Sequence, residues 1–567
     1  MIIHWFIYER GLIMTFVPKE KLHTKLLSSL EKVFPDRIPQ SFPLSKRLTV
    51  LQNDCVSFQV GLFLRSVSPG VVNISINSPI KDLIRLRSVH NVVSNLTNYC
   101  NVDDDYMMTG PGIVPDILLP LAENKILVSH AQWKSIWVDV EVPKGFPSGT
   151  YPITLDFSSP GGEDDGSKCS SQTMTVEVLG AELPEQKLIC THWFYTDCIA
   201  DYYDVEPFSE KHWEYVEKFL KSAVRMGNNM LLTPLFTPPI NTSIGYERIT
   251  TQLVEITEKD GKYSFDFAKL HRWVKMAQGN GITHFEICHL FSQWGALYSP
   301  KIIVNGEKRF GWHVKANTPE YQEFLNQFLP AVVAELKVLK ISDVSYFHIS
   351  DEPHGGQTET YGAAVKMVEK HLKDFPIMDA LSDYAFYEKG LVKNPIPATD
   401  HIDPFIEGNV SGLWTYYCVG QMVDVSNRNM GMPSYRNRII ATQLYKYDIE
   451  GFLHWGFNFY NNSDSIGSVN PYLITDAGET WSSGDSFLVY PDKRGETFES
   501  IRYMVFREAL LDLRSFQLLE SLTDKETVIR LIDENADHPI TFSCYPKSQE
   551  YLLDLREKIN RAIIANM

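Results

Sequence analysis

The sequence predicts a multidomain chain, all-β first and mixed α/β afterwards: an N-terminal antiparallel β-sandwich, then a (β/α)8 barrel with a helical C-terminal region. Three observations predict it. Between residues 48 and 183, short runs alternate apolar and polar residues and are punctuated by Gly, Pro, Asn and Asp, the pattern of strands with one buried face. From 188 to 460, eight apolar runs alternate with amphipathic helical stretches over roughly 270 residues, close to the length of a typical eightfold barrel. The 567 residues, 44% hydrophobic and 12% aromatic, exceed what one core holds and suit about two to four domains. The boundaries fall as an extension over 1–40, a sandwich over 41–185, a barrel with its closing helix over 186–525, and a helical tail over 526–567.

The clearest sandwich strands are 55–64, 71–76, 134–142, 150–157 and 173–178. The small, polar, acidic stretch 158–171 reads as a solvated hairpin loop. Barrel strands are predicted at 188–194, 229–235, 283–290, 344–350, 377–382, 398–402, 412–418 and 451–457. Between them, Ser209 caps a helix with Trp213, Val216, Phe219, Leu220 and Ala223 on one face. Thr318 and Pro319 start a second helix, a capping hydroxyl followed by Pro at the first helical position. Further helices are expected over 360–374 and 433–447, and a long one over 497–522 that closes the barrel. The crossovers after the fifth and sixth strands are short and irregular, so distortion is expected there. No repeat of about 20–50 residues points to a solenoid or propeller.

Composition narrows the partners. Lys+Arg 53 against Asp+Glu 70 gives a net charge of −17, which argues against nucleic acid or an anionic membrane. A carboxylate-rich surface with many Trp and Tyr suits a neutral polar ligand, and a sugar above all. The eight cysteines form no Cys-x-x-Cys pair, so zinc knuckles and thioredoxin-like motifs are excluded and reduced, mostly buried thiols are expected. The apolar stretch 1–16 carries Glu9 and Arg10 in its middle and lacks the plan of a signal peptide or the ~18 uncharged residues of a membrane span. A soluble, cytoplasmic protein is expected, with Met14 as an alternative start. Gly-x-Ser-x-Gly, phosphate-loop and His-Glu-x-x-His motifs are missing, which lowers the odds of esterase, kinase and zinc protease.

Catalytic groups of such barrels come from the carboxyl ends of the strands. The fourth strand ends in Ser350-Asp351-Glu352-Pro353. Adjacent residues of a strand point to opposite faces, so both carboxylates reach one pocket only where the strand stops. Pro353 enforces that stop and should keep Glu352 extended. Two neighbouring carboxylates repel, and one retains a proton near neutral pH, as protonation of a glycosidic oxygen requires. Many barrel glycosidases take a nucleophile from the seventh strand, but 412–418 holds no Asp or Glu. Substrate assistance remains, in which a 2-acetamido oxygen attacks the anomeric carbon. Asp351 would then orient the acetamido group, and Glu352 would act as acid and then base.

These residues carry a resemblance. The Asp351–Glu352 segment, Thr233-Pro234-Leu235-Phe236-Thr237-Pro238-Pro239, His289-Leu290-Phe291-Ser292-Gln293-Trp294-Gly295, Gly110–Asp116 and Gln132–Trp137 of the sandwich, and Ser500-Ile501-Arg502 with Arg507-Glu508 resemble glycoside hydrolase family 123, the exo-β-N-acetylgalactosaminidases, and the proteins sharing that catalytic domain. The resemblance implies a TIM-type barrel, a terminal β-linked N-acetylhexosamine (N-acetylgalactosamine) as substrate, retention, and the family's adjacent Asp-Glu pair at Asp351 and Glu352. It also implies a Tyr after the fifth strand beside the acetamido group, for which Tyr384 is the match.

Around that pair, Trp193, Trp294, Trp414, Tyr416 and Trp455 fall at or beside strand ends, where flat rings stack on sugars. Asn458 and His289 are candidates for bonding hydroxyls, while His348, inside a strand, reads as a core histidine. His284, Cys288 and His289 suggest a metal, but alternation sends the last two to opposite faces, so no metal or cofactor is expected. Asp379, Asp383, Asp400 and Asp403 are held as nucleophiles of a conventional two-carboxylate rival. A second rival is a carbohydrate-binding protein without catalysis, since fold and aromatics would persist in either. The expected partner is a glycan or glycoside, with no nucleic acid and no membrane. Oligomeric state is not legible.

Overall fold

A computed structural model describes residues 3–8, 11–16, 21–40, 46–65, 69–99, 101–158, 170–534 and 536–567. Glu9, Arg10, Cys100, Cys169 and the acidic loop over 159–169 lie outside the described residues. The other six cysteines carry free thiols, four of them buried.

Alternating side chains build two five-stranded sheets that face each other. One runs Lys21–Ser28, Asp54–Arg65, Trp133–Val142, Ile84–Ser94, Gly112–Pro120, antiparallel throughout. The other runs Arg47–Gln52, Ser170–Glu182, Gly149–Ser158, Gly70–Asn77, Lys125–Val128, with its first pair parallel. Between them Val60, Leu62, Ile136, Val138, Ile153, Leu155 and Val176 are buried, and burial of this kind is worth about 25 cal/mol per Å2. Lys21–Ser28 pairs with Asp54–Arg65, so the sandwich begins inside the stretch that composition assigns to an extension.

Eight short parallel strands follow: β1 Ile189–His192, β2 Met230–Thr233, β3 His284–Ile287, β4 Ser345–Phe347, β5 Met378–Ala380, β6 Asn394–Ile396, β7 Trp414–Tyr416 and β8 Gly451–His454. They pair as three sheets: β1–β8–β7, β2–β3–β4 and β5–β6. Single parallel bridges, Phe347 with Ile377 and Ala398 with Tyr416, join the sheets. Between β1 and β2 the link is local, through Asn229, whose side chain accepts from Cys190 N at 2.8 Å while its own amide donates to Cys190 O. The arrangement is mixed α/β, and the unbroken barrel expected from the sequence is not shown. The crossovers expected to be short are so: Ala385–Glu388 after β5 and Asp403–Glu407 after β6 are single turns. The sixth strand also lies earlier than predicted. Residues 398–402 turn into the Asp403–Glu407 helix, and Asn394–Ile396 pairs with β5 instead.

The predicted helix starts hold. Ser209 accepts from His212 N above Glu210–Met226, and Thr318 accepts from Tyr321 N above Pro319–Val338. Ser500 caps the closing helix Ile501–Leu522. From that helix Arg502 bonds Asp116 of the sandwich and the carbonyls of Gly484 and Phe487, fixing the segment that returns past the strand ends. The C-terminal helix Gln549–Ala565 packs across the sandwich: Arg556 pairs with Asp54 at 2.5 Å and with Asp512 at 2.8 Å, and Arg561 with Glu177. Among the described residues no helix is long and apolar enough to cross a membrane.

Candidate active site

Side chains on one face of the parallel strands sit in layers, because alternate residues point to the same side. The lower layer holds Tyr346 and Trp414, with ring centroids 5.8 Å apart. Trp414 stands at the first residue of β7 and covers Gly451, where a Cβ would lie 1.9 Å from the indole. It is buried core at the amino ends of the strands, away from the carboxyl-end mouth.

One layer higher, buried polar groups meet. Glu286 of β3 accepts from Trp193 Nε1 at 2.6 Å, from Thr191 Oγ1 at 2.7 Å and from His348 Nε2 at 2.6 Å. His348 Nδ1 faces Asp379 Oδ1 at 3.1 Å. Asp379 also takes the Tyr361 hydroxyl and the amides of Ile349 and Ser350. Burial alone would depress the His348 pKa, but the bonds and charges of Asp379 and Glu286 outweigh it and push it up to about 10. His348 is therefore an imidazolium. His289 stacks on it with centroids 4.3 Å apart. Burial, then the His348 charge, hold His289 neutral, and neither of its ring nitrogens has a partner among the described residues. The ligand atoms of His289, His348 and Asp379 lie within 4.8 Å of one another, a spacing that a divalent cation accepts. Both nitrogens of His348 already face carboxylates, which leaves His289 as the unpartnered member of the cluster.

Above this layer Asp351 and Glu352 leave β4. Asp351 is 9% exposed, its carbonyl accepts from Trp294 N at 3.0 Å, and no hydrogen bond to its carboxylate is made among the described residues. Glu352 is not extended as Pro353 led one to expect: its φ is +42°, a left-handed turn costing about 1–2 kcal/mol. Its amide donates to Ala380 O at 3.1 Å, and Tyr416 Oη donates to its Oε1 at 2.5 Å. A left-handed residue here breaks the alternation that would send neighbouring side chains to opposite faces. Burial first, then mutual repulsion, raises the Asp351 pKa well above the ordinary range. Burial also raises Glu352, opposed by the Tyr416 bond and assisted by Asp485 and Asp400. Both carboxyls are thus pushed toward the protonated form.

The remaining candidates divide. Trp294, 46% exposed with φ +56°, stands beside Asp351 as an open ring. Trp193 is buried, edge-on to His289 and His348, and supports the floor. Asn458 is spent on the backbone of Tyr195, accepting at 2.9 Å and donating at 3.0 Å. Tyr384 packs edge-on to Phe405 at 5.0 Å with its hydroxyl over Gly408. Asp383 accepts from Ala385 N, Asp400 bonds His401 and Gln421, and Asp403 is exposed on its helix.

Sequence reasoning missed Asp485. Gly456 has no Cβ to collide with the carbonyls of Asp485 and Ser486, 2.6–2.7 Å from where one would stand, so the segment closes on the Trp455 loop. Trp455 Nε1 then donates to Asp485 Oδ2 at 2.8 Å, and His454 Nε2 lies 3.5 Å from Oδ1. Asp485 is one carboxylate in a loop far from any motif, and no spacing signals it.

The catalytic-domain model of glycoside hydrolase family 123 matches residues 193–519, more than half of the chain. The chain belongs to glycoside hydrolase family 123. This family 123 chain is similar in fold to a family 123 glycoside hydrolase from Clostridium perfringens: 14% identity, 96% of this chain and 97% of that one covered, TM-score 0.71. Weaker likenesses reach a β-glucuronidase from Bifidobacterium dentium (9% identity, 80% and 62% covered, TM-score 0.34) and a family 5 mannosidase from Rhizomucor miehei (9%, 60% and 95%, 0.31). No protein of curated function matches the family 123 chain. It is a glycoside hydrolase, and a non-catalytic sugar binder is set aside.

Proposed function

We propose that this family 123 hydrolase removes a terminal, non-reducing β-linked N-acetylhexosamine, N-acetylgalactosamine first, with retention and with the substrate's own acetamido group as nucleophile. The observation that carries it is the adjacent, mutually repelling Asp351–Glu352 pair at a left-handed turn after β4, with no carboxylate on β7. Asp351 accepts from the acetamido N–H, and the acetamido oxygen forms its bond to the anomeric carbon. The glycosidic bond breaks as Glu352 gives its proton to the leaving oxygen. Water then attacks the same carbon, returns a proton to Glu352 and reopens the oxazolinium ring, so two inversions give retention. The exposed Trp294 ring supplies a face for the sugar or its leaving group. The Clostridium perfringens enzyme is described in terms of glycolipid glycan hydrolysis, and a glycan of that class is the substrate proposed here.

Asp379 is a poor nucleophile, because His348, Tyr361 and two amides already use its oxygens. One observation favours a conventional second carboxylate: Asp485 Oδ1 has no hydrogen-bond partner among the described residues. Against it, Asp485 is fully buried and its other oxygen is held by Trp455. Aryl β-glycosides with and without the 2-acetamido group decide between the readings. Substrate assistance expects turnover of the acetamido series alone, inhibition by a thiazoline mimic, and no labelling by 2-fluoro glycosides. A covalent sugar on any carboxylate overturns it.

A further inference from the structure

Beneath the pair, the Glu286–His348–Asp379 cluster joins three strands. Glu286 comes from β3, His348 follows β4, and Asp379 belongs to β5. Both ring nitrogens of His348 face carboxylates, at 2.6 and 3.1 Å, and all three side chains are fully buried. The groups facing the ring are Glu286, Asp379, neutral His289, Trp193 and, three residues along its own segment, Asp351. Asp379 meanwhile binds the amides of Ile349 and Ser350, the two residues that lead into Asp351.

We propose that His348 is a positioning residue, an imidazolium clamped between Glu286 and Asp379 that fixes the strand end and sets positive charge against the Asp351 carboxylate. The proposal rests on the reading of Asp351 and Glu352 as the reacting pair. Its physical content is a balance of charge. Two carboxyl groups face the one His348 ring, and Asp351 follows it in the same segment beside Glu352. A substrate-assisted step needs Asp351 ionised while Glu352 keeps its proton. The imidazolium favours that distribution, since a nearby opposite charge lowers a carboxyl pKa. A neutral histidine packed as ordinary core would leave two carboxylates unopposed beneath the site.

Charge-changing variants separate this role from a structural one, because they move the pH profile of kcat/KM in opposite directions. His348→Gln leaves the cluster with two negative charges, disfavours ionised Asp351, and should move the acid limb up by about one unit. Glu286→Gln leaves the cluster neutral and should move the acid limb down. A merely structural cluster would lower activity in both variants with the limb unmoved, and that result, or two shifts of the same sign, overturns the proposal. If His348→Gln does not fold, Glu286→Gln decides alone: a limb that stays or rises refutes it. The underlying reading is judged separately, by whether the unmodified enzyme has a bell-shaped profile that Asp351→Asn and Glu352→Gln abolish.

Discussion

The Tyr416 hydroxyl donates to Glu352 Oε1 at 2.5 Å across the mouth of the strands, from β7 to the end of β4. The bond favours the ionised carboxylate and opposes burial. Tyr416→Phe should therefore let Glu352 keep its proton to higher pH. The basic limb of kcat/KM moves up by about one unit, and a limb that falls or stays would show that another group is the acid.

Glu352→Gln removes the proton donor and should cost about 10²–10⁴ in rate on substrates with poor leaving groups. Substrates with very acidic leaving groups should lose far less, because they depart without protonation. A Brønsted series of aryl glycosides measures this, and a uniform loss would remove Glu352 from the role of acid.

Asp485 predicts a stability that depends on pH. Burial pushes its carboxyl from 3.8 up to about 6, opposed by Arg428, by the Trp455 bond and by Arg502. An acid whose folded pKa is raised costs nothing below pH 3.8, where both states are protonated. Its penalty grows as pH rises from there and is complete above about 6, on the order of 3 kcal/mol. Asp485→Asn should thus gain Tm relative to the unmodified enzyme between pH 4 and pH 7. Parallel melting curves at the two pH values check it, and a constant difference would contradict the burial argument.

Gly451→Ala drives a methyl group into the Trp414 indole at 1.9 Å. Overpacking of this kind costs about 1–3 kcal/mol or more. The variant should melt several degrees lower, and Trp414→Leu in the same chain should restore part of the loss. Unchanged melting would mean that Trp414 moves freely at the strand bottoms.

The sandwich strands were legible because each is long and alternates: the predicted 55–64 sits inside Asp54–Arg65, and 134–142 inside Trp133–Val142. Strands of three or four residues carry no such period, so the sixth was misplaced beside Pro397. Asp351 and Glu352 were found because adjacency is visible in one dimension. Trp414 and Tyr416 are two residues apart on one face, yet one meets Gly451 and the other Glu352. Only depth along the strand separates them, and sequence does not record depth. The Glu286–His348–Asp379 clamp depends on the register of three strands at once, which is why His348 read as plain core and Glu286 as nothing at all.

The helix Gln549–Ala565 bears on how the molecule is made. Its Arg556 and Arg561 neutralise Asp54 and Glu177, and its Asn560 donates to Thr49 at 3.1 Å, partners that leave the ribosome hundreds of residues earlier. Contacts so distant in sequence slow folding. During synthesis Asp54 and Glu177 wait for these arginines, Glu177 with Arg47 alone, so a domain translated early is among the last to be finished.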